Sequence, residues 1–206
     1  MTLPFQLILG SASPRRKKIM DALGLDFTVV IPDTEEIHDA SDPVRTVVVN
    51  ATAKYRASRA AHPHAAIITA DTLVWFDGNL IGKPADLEEA ARFLRAFSGR
   101  TQIVYTGIAL GLPGQRDPDI RVEASSVTFK ELSEAAIRAY LEKTNPLDRA
   151  GAYDIDENGD LLIAAYSGSR TNIMGLPRAP VRDWLAGKSC AAFHGRATRR
   201  QDDQTT

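Results

Sequence analysis

The order of the apolar segments limits how this chain can fold. Residues 5–9 form a short apolar run, and a helical pattern begins soon after it at Ser13-Pro14, a serine cap followed by proline at the first helical position. Further along, residues 65–76 are rich in β-forming side chains and end at Asp77-Gly78, which is typical of tight hairpin turns. Strands that alternate with helices favour parallel pairing, whereas tight turns join antiparallel strands. The sequence therefore predicts an α/β fold with a mixed sheet.

The remaining segments extend this pattern. Predicted strands follow at 27–31, 79–82, 102–112, 120–131 and 161–166, and the last of these is apolar enough to be buried. Predicted helices lie at 13–23, 42–61, 87–97, 133–143 and 177–185. A length of 206 residues suits one domain. Because the hydrophobic pattern fades at its end, we expect a single domain over 1–187 and a polar, flexible C-terminal tail over 188–206.

Charge and cysteine content argue against several classes of protein. The 25 basic side chains nearly balance the 26 acidic ones, for a net charge of −1, which argues against a nucleic-acid binder. No apolar run approaches the roughly 18 residues of a membrane span, and no basic segment precedes the first apolar run as in a signal peptide. The single cysteine, Cys190, cannot form an intrachain disulfide, which fits a reducing compartment. We therefore expect a cytoplasmic protein without nucleic-acid or membrane partners.

Small and basic residues follow the first apolar run. Residues 10–13 would let a ligand approach the backbone, and Ser11 and Ser13 offer hydroxyl groups. Arg15 and Arg16 fall in the first turn of the predicted helix, where basic side chains oppose the helix dipole. A bound anion would resolve this conflict, because helix N-termini and arginine side chains both bind phosphate oxygens. The segment predicts a phosphate-binding loop.

Asp71 interrupts the apolar segment that ends at the hairpin turn. Burying an unpaired carboxylate is costly, so we expect Asp71 to be paired, bound to a metal or catalytic. Glu35 or Glu36, which follow the second predicted strand, could face Asp71 across a divalent cation. Lys54, together with Lys83 held between a glycine and a proline, would complete the site. Such a set of acids and bases suits a metal-bound polyphosphate.

Several short motifs accompany these residues in a fixed order. They are LGSASPRR at 9–16, Glu36, Lys54, ADT at 70–72, GKP at 82–84, YTG at 105–107, AGAY at 150–153 and GLP at 175–177. The ordered set resembles the Maf family of nucleoside triphosphate pyrophosphatases. The resemblance implies an elongated, two-lobed α/β fold with a central cleft, similar to that of inosine triphosphate pyrophosphatases. It also implies hydrolysis of a nucleotide to its monophosphate and pyrophosphate as a house-cleaning reaction, a Mg²⁺ or Mn²⁺ cofactor and a homodimer.

The resemblance further implies a role for each residue of the predicted site. Asp71 matches the base that activates water, and Glu36 and Asp71 together match the metal site. Arg15, Thr72 and Asp156 match positions thought to set base specificity. The residues implied to bind the phosphates are Ser11, Ser13, Arg15, Arg16, Lys54 and Lys83.

One departure from the family pattern leaves the base open. The branch that acts on dTTP and UTP carries a glutamine where this chain has Asp156, and the branch that acts on 7-methyl-GTP carries an acid there. Because Arg15, Thr72 and the GAYDID segment at 151–156 resemble the first branch, we expect dTTP and UTP, with 7-methyl-GTP as the alternative. A second alternative is a non-catalytic nucleotide-binding regulator of cell division. An enzyme is favoured over that regulator because a pure binder need not keep an acid such as Asp71 among phosphate-binding charges.

Overall fold

A computed structural model describes the fold of residues 3–197 and the side chains of residues 3–187. Over that part of the chain the strands are β1 Leu7–Gly10, β2 Thr28–Val30, β3 Ala66–Phe76, β4 Asn79–Ile81, β5 Thr101–Gly111, β6 Asp119–Phe129 and β7 Ile163–Ser167. The α-helices are α1 Pro14–Asp21, α2 Pro43–Ala61, α3 Leu87–Phe97, α4 Glu134–Lys143, α5 Arg170–Ile173 and α6 Arg178–Ala197. Two short 3-10 helices lie at Ala150–Ala152 and Gly159–Leu161.

The described strands form one mixed sheet. Its order is β2-β1-β3-β5-β6-β7, and β4 pairs with β3 beside this path. β1 lies parallel to both β2 and β3, because helices connect these strands, whereas every later pair is antiparallel. The predicted mixed-sheet α/β fold is confirmed.

The buried apolar side chains fall at two ends of the long strands β3 and β5. One end combines β1, α1 and α6 with Ile68 of β3 and Leu110 of β5. The other end combines α3 and α4 with Val74 and Phe76 of β3. A third cluster packs Ala51 and Tyr55 of α2 against Ile67 of β3 and Ala109 of β5, on the opposite face of the first end. The two ends form two lobes, as expected, and the middle of β3 lies between them.

The hairpin after β3 returns the chain toward the middle of the molecule. Asp77 and Gly78 both have left-handed backbone angles, with φ of 54° and 79°. This pair of angles is that of a type I′ turn, whose twist matches that of the strands it joins. The turn sends β4 back along β3, and Lys83 follows two residues after the end of β4.

A close approach between helix and sheet places α2 over the centre of β3. Asp71 of β3 pairs with Gly107 of β5, so both positions face the same side of the sheet. A Cβ atom on Gly107 would lie 2.6 Å from the carbonyl oxygen of Val47 in α2. Only glycine therefore allows α2 to lie this close to Asp71.

Two sequence predictions differ from the structure. The strand predicted at 161–166 was expected to be buried, but β7 is the outer strand of the sheet and four of its five residues are exposed. The apolar signal came from Leu162, which is fully buried but precedes β7. The helix predicted at 177–185 continues to Ala197. The division into a domain over 1–187 and a tail over 188–206 stays a prediction, and residues 198–206 lie outside the described residues.

None of the described helices combines the length and the apolar character needed to cross a bilayer.

Gly107→Ala should separate α2 from the sheet. A methyl group in this contact forces a backbone shift, so we expect the free energy of unfolding to fall by about 1–3 kcal/mol. Urea denaturation measures this loss. Gly187→Ala is the control, since a Cβ atom there meets nothing within 4 Å. Equal stability of Gly107→Ala and the wild type would contradict the close approach.

Candidate active site

A cleft of about 520 Å³ lies between the two lobes. The loop after β1, the middle of β3, the helix α2 and the segments near residues 150 and 174 contribute to its walls. Nine of the ten predicted site residues line it: Ser11, Ser13, Arg15, Arg16, Glu36, Lys54, Asp71, Thr72 and Lys83. Residues that are up to 72 positions apart in the sequence thus meet in one cavity, and only Asp156 is left out of its lining.

The loop between β1 and α1 has the form expected of an anion site. The Ser13 side chain caps α1 by accepting from the backbone N–H of Arg16, and Pro14 occupies the start of the helix. No acidic side chain lies in the first turn of α1. The positive end of the helix and Arg15 therefore both contribute positive potential beside the cleft.

The guanidinium of Arg16 donates three hydrogen bonds to other groups of the protein. Its Nε donates to the carbonyl oxygen of Gly175 at 2.8 Å, Nη1 donates to Ser11 Oγ at 3.1 Å and Nη2 donates to Thr72 Oγ1 at 3.0 Å. Burial lowers the pKa of Arg16 from its ordinary value, and the negative charge of Asp71 partly opposes this shift. The guanidinium thus connects three walls of the cleft, and its charge lies within the cavity.

Asp71 is paired with a cation. Lys54 Nζ lies 2.7 Å from Asp71 Oδ1 and 2.7 Å from Glu36 Oε1, so one ammonium group bridges the two carboxylates. The side chains of Lys54 and Asp71 are only 12% and 10% exposed. Glu36, not Glu35, is therefore the acid that meets Asp71, and this ion pair offsets the cost of burying the carboxylate.

Asn50 is a further residue of the site, and the sequence motifs did not indicate it. This buried side chain donates from Nδ2 to Asp71 Oδ2 at 3.0 Å, so the two oxygens of Asp71 have different partners. Asn50 also holds the acidic loop, because its amide accepts from the backbone N–H of Ile37 and donates to the carbonyl oxygen of the same residue. A signal was present in the sequence. Asn50 precedes Lys54 by four residues on one helix, and this spacing places both side chains on one face.

Apolar side chains line the cleft away from the charged groups. A second buried acid, Asp154, lies among them, and the sequence motifs did not indicate it. The apolar set includes Ile31, Val74, Val104, Ile155, Ile173 and Met174. Asp154 Oδ2 lies 3.9 Å from Arg15 Nη1 and 3.2 Å from Arg149 Nε. The Asp154 backbone N–H donates to the hydroxyl of Tyr140 at 2.8 Å. This part of the cleft can enclose the apolar faces of a ligand, and the Asp154 carboxylate can accept a hydrogen bond from a polar edge of that ligand.

Asp156 lies outside the cleft lining. Its carboxylate is 3.2 Å from Lys18 Nζ and 2.8 Å from Arg170 Nη2, and its backbone N–H donates to Asp154 Oδ1. Sequence spacing alone did not reveal these two cationic partners. The predicted role of Asp156 in base choice stays a prediction, and a direct contact with a base would have to compete with both ion pairs.

Comparison with known proteins agrees with the order of the motifs. Residues 6–188 match the family model of the Maf-like protein. The chain belongs to the Maf family. The resemblance stated from the sequence motifs is therefore confirmed, and the lining of the cleft consists largely of Maf motif residues.

Three Maf relatives share most of their length with this chain, and each is named dTTP/UTP pyrophosphatase. The protein of Akkermansia muciniphila is 40% identical over 183 residues, which are 88% of this chain and 95% of the relative. The protein of Deinococcus radiodurans is 41% identical over 188 residues, 91% and 95% of the two chains. That of Thermotoga petrophila is 35% identical over 201 residues, which are 97% of this chain and 96% of the relative.

Among solved structures, the nucleoside-triphosphatase or dITP/XTP pyrophosphatase of Mycobacterium abscessus has a TM-score of 0.43 and 15% identity, covering 92% of this chain and 96% of that one.

Lys54→Met should destabilise the Maf site because the shape of the side chain is retained while its charge is removed. Asp71 and Glu36 would then lose their shared cation, and we expect a loss of about 3 kcal/mol in the free energy of unfolding, as for other broken buried ion pairs. Chemical denaturation measures the change. Lys17→Met is the matched control, since Lys17 pairs with Asp21 on the exposed surface and such pairs contribute less than about 1 kcal/mol. Similar losses in the two variants would show that the bridge adds nothing to stability.

Proposed function

We propose that this chain is a nucleoside triphosphate pyrophosphatase that hydrolyses dTTP and UTP to the monophosphate and pyrophosphate. One observation carries the proposal: a buried, cation-paired carboxylate, Asp71, shares a cleft with a helix N-terminus and with Arg15 and Lys83. The names of the Maf relatives support the same reaction and the same two nucleotides.

The charged part of the cleft suits the triphosphate. The α1 N-terminus, Ser11, Ser13 and Arg15 would bind phosphate oxygens, and Lys83 would add a further charge from across the cleft. The apolar lining would enclose the sugar and the base. Substrate phosphates and reacting acid would then be held by separate elements of the fold, which keeps the phosphorus atom and the attacking water in a fixed relation.

Asp71 would orient a water molecule and accept its proton. The water oxygen forms a bond to the α-phosphorus, the bond from that phosphorus to the bridging oxygen breaks, and pyrophosphate leaves with the electron pair. Arg15, Lys54 and Lys83 would offset the charge that develops on pyrophosphate, and such electrostatic stabilisation supplies most of the rate enhancement in phosphoryl transfer. Asn50 and Lys54 fix the Asp71 carboxylate during this step.

The donor set fits a divalent cation that is shared with the substrate. Magnesium is commonly held by one or two carboxylates together with substrate phosphates, and Asp71 and Glu36 supply two carboxylates beside one ammonium group. The described residues contain no group of three or more metal-ligating side chains. We infer that Asp71 and Glu36 would hold Mg²⁺ or Mn²⁺, which would neutralise phosphate charge. Lys54 would have to share the two carboxylates with the ion.

Base choice is the least constrained part of the proposal. An ionised carboxylate accepts hydrogen bonds but cannot donate them, so Asp154 could accept from N3–H of uracil or thymine or from N1–H of a guanine-type base. That observation keeps 7-methyl-GTP as the alternative substrate. The regulator hypothesis is less favoured, because a pure binder need not keep an acid such as Asp71, paired with Lys54, among phosphate-binding charges. A homodimer and a cytoplasmic location stay predictions.

Asp71→Asn should abolish turnover while nucleotide still binds. The amide keeps the size of the side chain but cannot accept the proton of water, and we expect kcat for UTP to fall by about a thousandfold. Steady-state kinetics gives kcat, and calorimetry gives UTP affinity. Asp77→Asn is the control, since Asp77 lies in the exposed hairpin turn and asparagine tolerates its left-handed backbone. Near-normal kcat in Asp71→Asn would remove this residue from the mechanism.

Removal of divalent cations should stop hydrolysis of UTP. Dialysis against a chelator followed by addition of Mg²⁺ or Mn²⁺ should restore it, because the triphosphate would otherwise keep its full charge beside two carboxylates. Sodium at equal ionic strength is the control. Full activity in the chelated sample would contradict the proposed cofactor.

A further inference from the structure

The hydroxyl of Thr72 lies where three walls of the cleft meet. Thr72 Oγ1 accepts from Arg16 Nη2 at 3.0 Å, lies 2.9 Å from Thr106 Oγ1 and lies 3.2 Å from the carbonyl oxygen of Gly175. These partners belong to α1, to β5 and to the loop after α5. A single side chain of β3 therefore connects the phosphate-binding loop to the opposite wall.

The proton and at least one lone pair of this hydroxyl are used by the protein. A hydroxyl has one proton and two lone pairs. Thr72 accepts from Arg16 and donates its one proton either to the carbonyl oxygen of Gly175 or to Thr106, whose own proton can go to the carbonyl oxygen of Asn172. In either arrangement no proton of Thr72 remains for a nucleobase.

Gly175 lies at one end of the chain of hydrogen bonds that runs through Thr72 and Arg16. Its φ of 106° lies in a region that L-residues rarely adopt, so glycine is required there. Its carbonyl oxygen accepts from Arg16 Nε, and its own N–H donates to the carbonyl oxygen of Asn172 at 2.8 Å. An added Cβ would lie 3.4 Å from Thr72 Oγ1 and 3.6 Å from Arg16 Nε, so the three groups are closely packed.

The phosphate-binding loop lies at the other end of this chain of hydrogen bonds. Arg16 Nη1 donates to Ser11 Oγ, and Ser11 Oγ also accepts from the backbone N–H of Ser13. The position of Ser11 and Ser13 therefore depends on where the Arg16 guanidinium is held. Thr72 holds it from one side and Gly175 from the other.

We propose that Thr72 and Arg16 are positioning residues that hold the phosphate-binding loop, so that Thr72 acts on the phosphates of every nucleotide through Arg16 rather than on the base. The inference rests on the proposed function, since it takes the loop after β1 as the phosphate site. It assigns Thr72 a different role from the base specificity implied by the sequence resemblance.

Pyrophosphate is the probe that separates the two roles, because it has phosphates but no base. Thr72→Val keeps the shape of the side chain and removes the hydroxyl. We expect it to raise the Kd for pyrophosphate and the KM for UTP by the same factor of about ten, as for one lost hydrogen bond to a charged group. Thr72→Ser restores the hydroxyl, so both values should return to within about threefold of the wild type. Calorimetry with pyrophosphate and steady-state kinetics with UTP give the two numbers.

Thr69→Val is the matched control. It removes a fully buried hydroxyl of the same strand, whose hydrogen bond goes to the carbonyl oxygen of Ala51 in α2 and not to the loop. The Kd for pyrophosphate should stay at the wild-type value in this variant. If Thr72→Val does not fold, Thr72→Ala serves in its place and is compared with Thr72→Ser in the same way.

Two results would overturn the inference. One is an unchanged Kd for pyrophosphate in a folded Thr72→Val or Thr72→Ala protein whose KM for UTP has risen, which would place Thr72 at the base. The other is a Thr72→Ser protein as impaired as Thr72→Val. The binding of pyrophosphate requires no turnover, so a wild type that binds it without hydrolysing UTP would refute the proposed function and leave this test intact.

Discussion

The arrangement of charged groups in the cleft depends on the ammonium group of Lys54. It lies 2.7 Å from both Asp71 and Glu36, and these acids come from the strand β3 and from the loop before α2. Without a cation between them, two carboxylates this close would repel, and a buried carboxylate without a partner is costly. Lys54 thus joins the acidic loop to the sheet and stabilises a buried carboxylate in an apolar strand.

This bridge is possible because helix and sheet approach each other closely. Gly107 lies beside Asp71 in the sheet and leaves room for the backbone of α2. One turn of α2 then presents Asn50 and Lys54 to the two oxygens of the same carboxylate. The β1–α1 loop reaches the same cleft because β1 lies directly beside β3 in the sheet.

Local features of the site could be predicted from the sequence, and long-range ones could not. Ser13 and Pro14 specify the start of α1 through backbone hydrogen bonding and a fixed φ, and Asp77-Gly78 specifies a turn through its left-handed angles. These effects act within a few residues. The bond from Arg16 to Gly175 joins residues 159 positions apart, and no pattern in the sequence indicates which acceptor a buried arginine will find.

Asp156 illustrates the same limit, since its ion pairs with Lys18 and Arg170 depend on the packing of α1 and α5. The burial predicted for β7 was wrong for a related reason, because an apolar run does not reveal whether its strand will lie at the edge of a sheet.

In the proposed reaction, the cleft directs water to the α-phosphorus of a nucleoside triphosphate. Hydrolysis of UTP in water enriched in ¹⁸O, followed by mass spectrometry of the products, identifies the phosphorus atom that is attacked. We expect UMP and pyrophosphate in equal amounts, with one ¹⁸O atom in each UMP and none in pyrophosphate. Label in pyrophosphate, or UDP and orthophosphate as the first products, would contradict it.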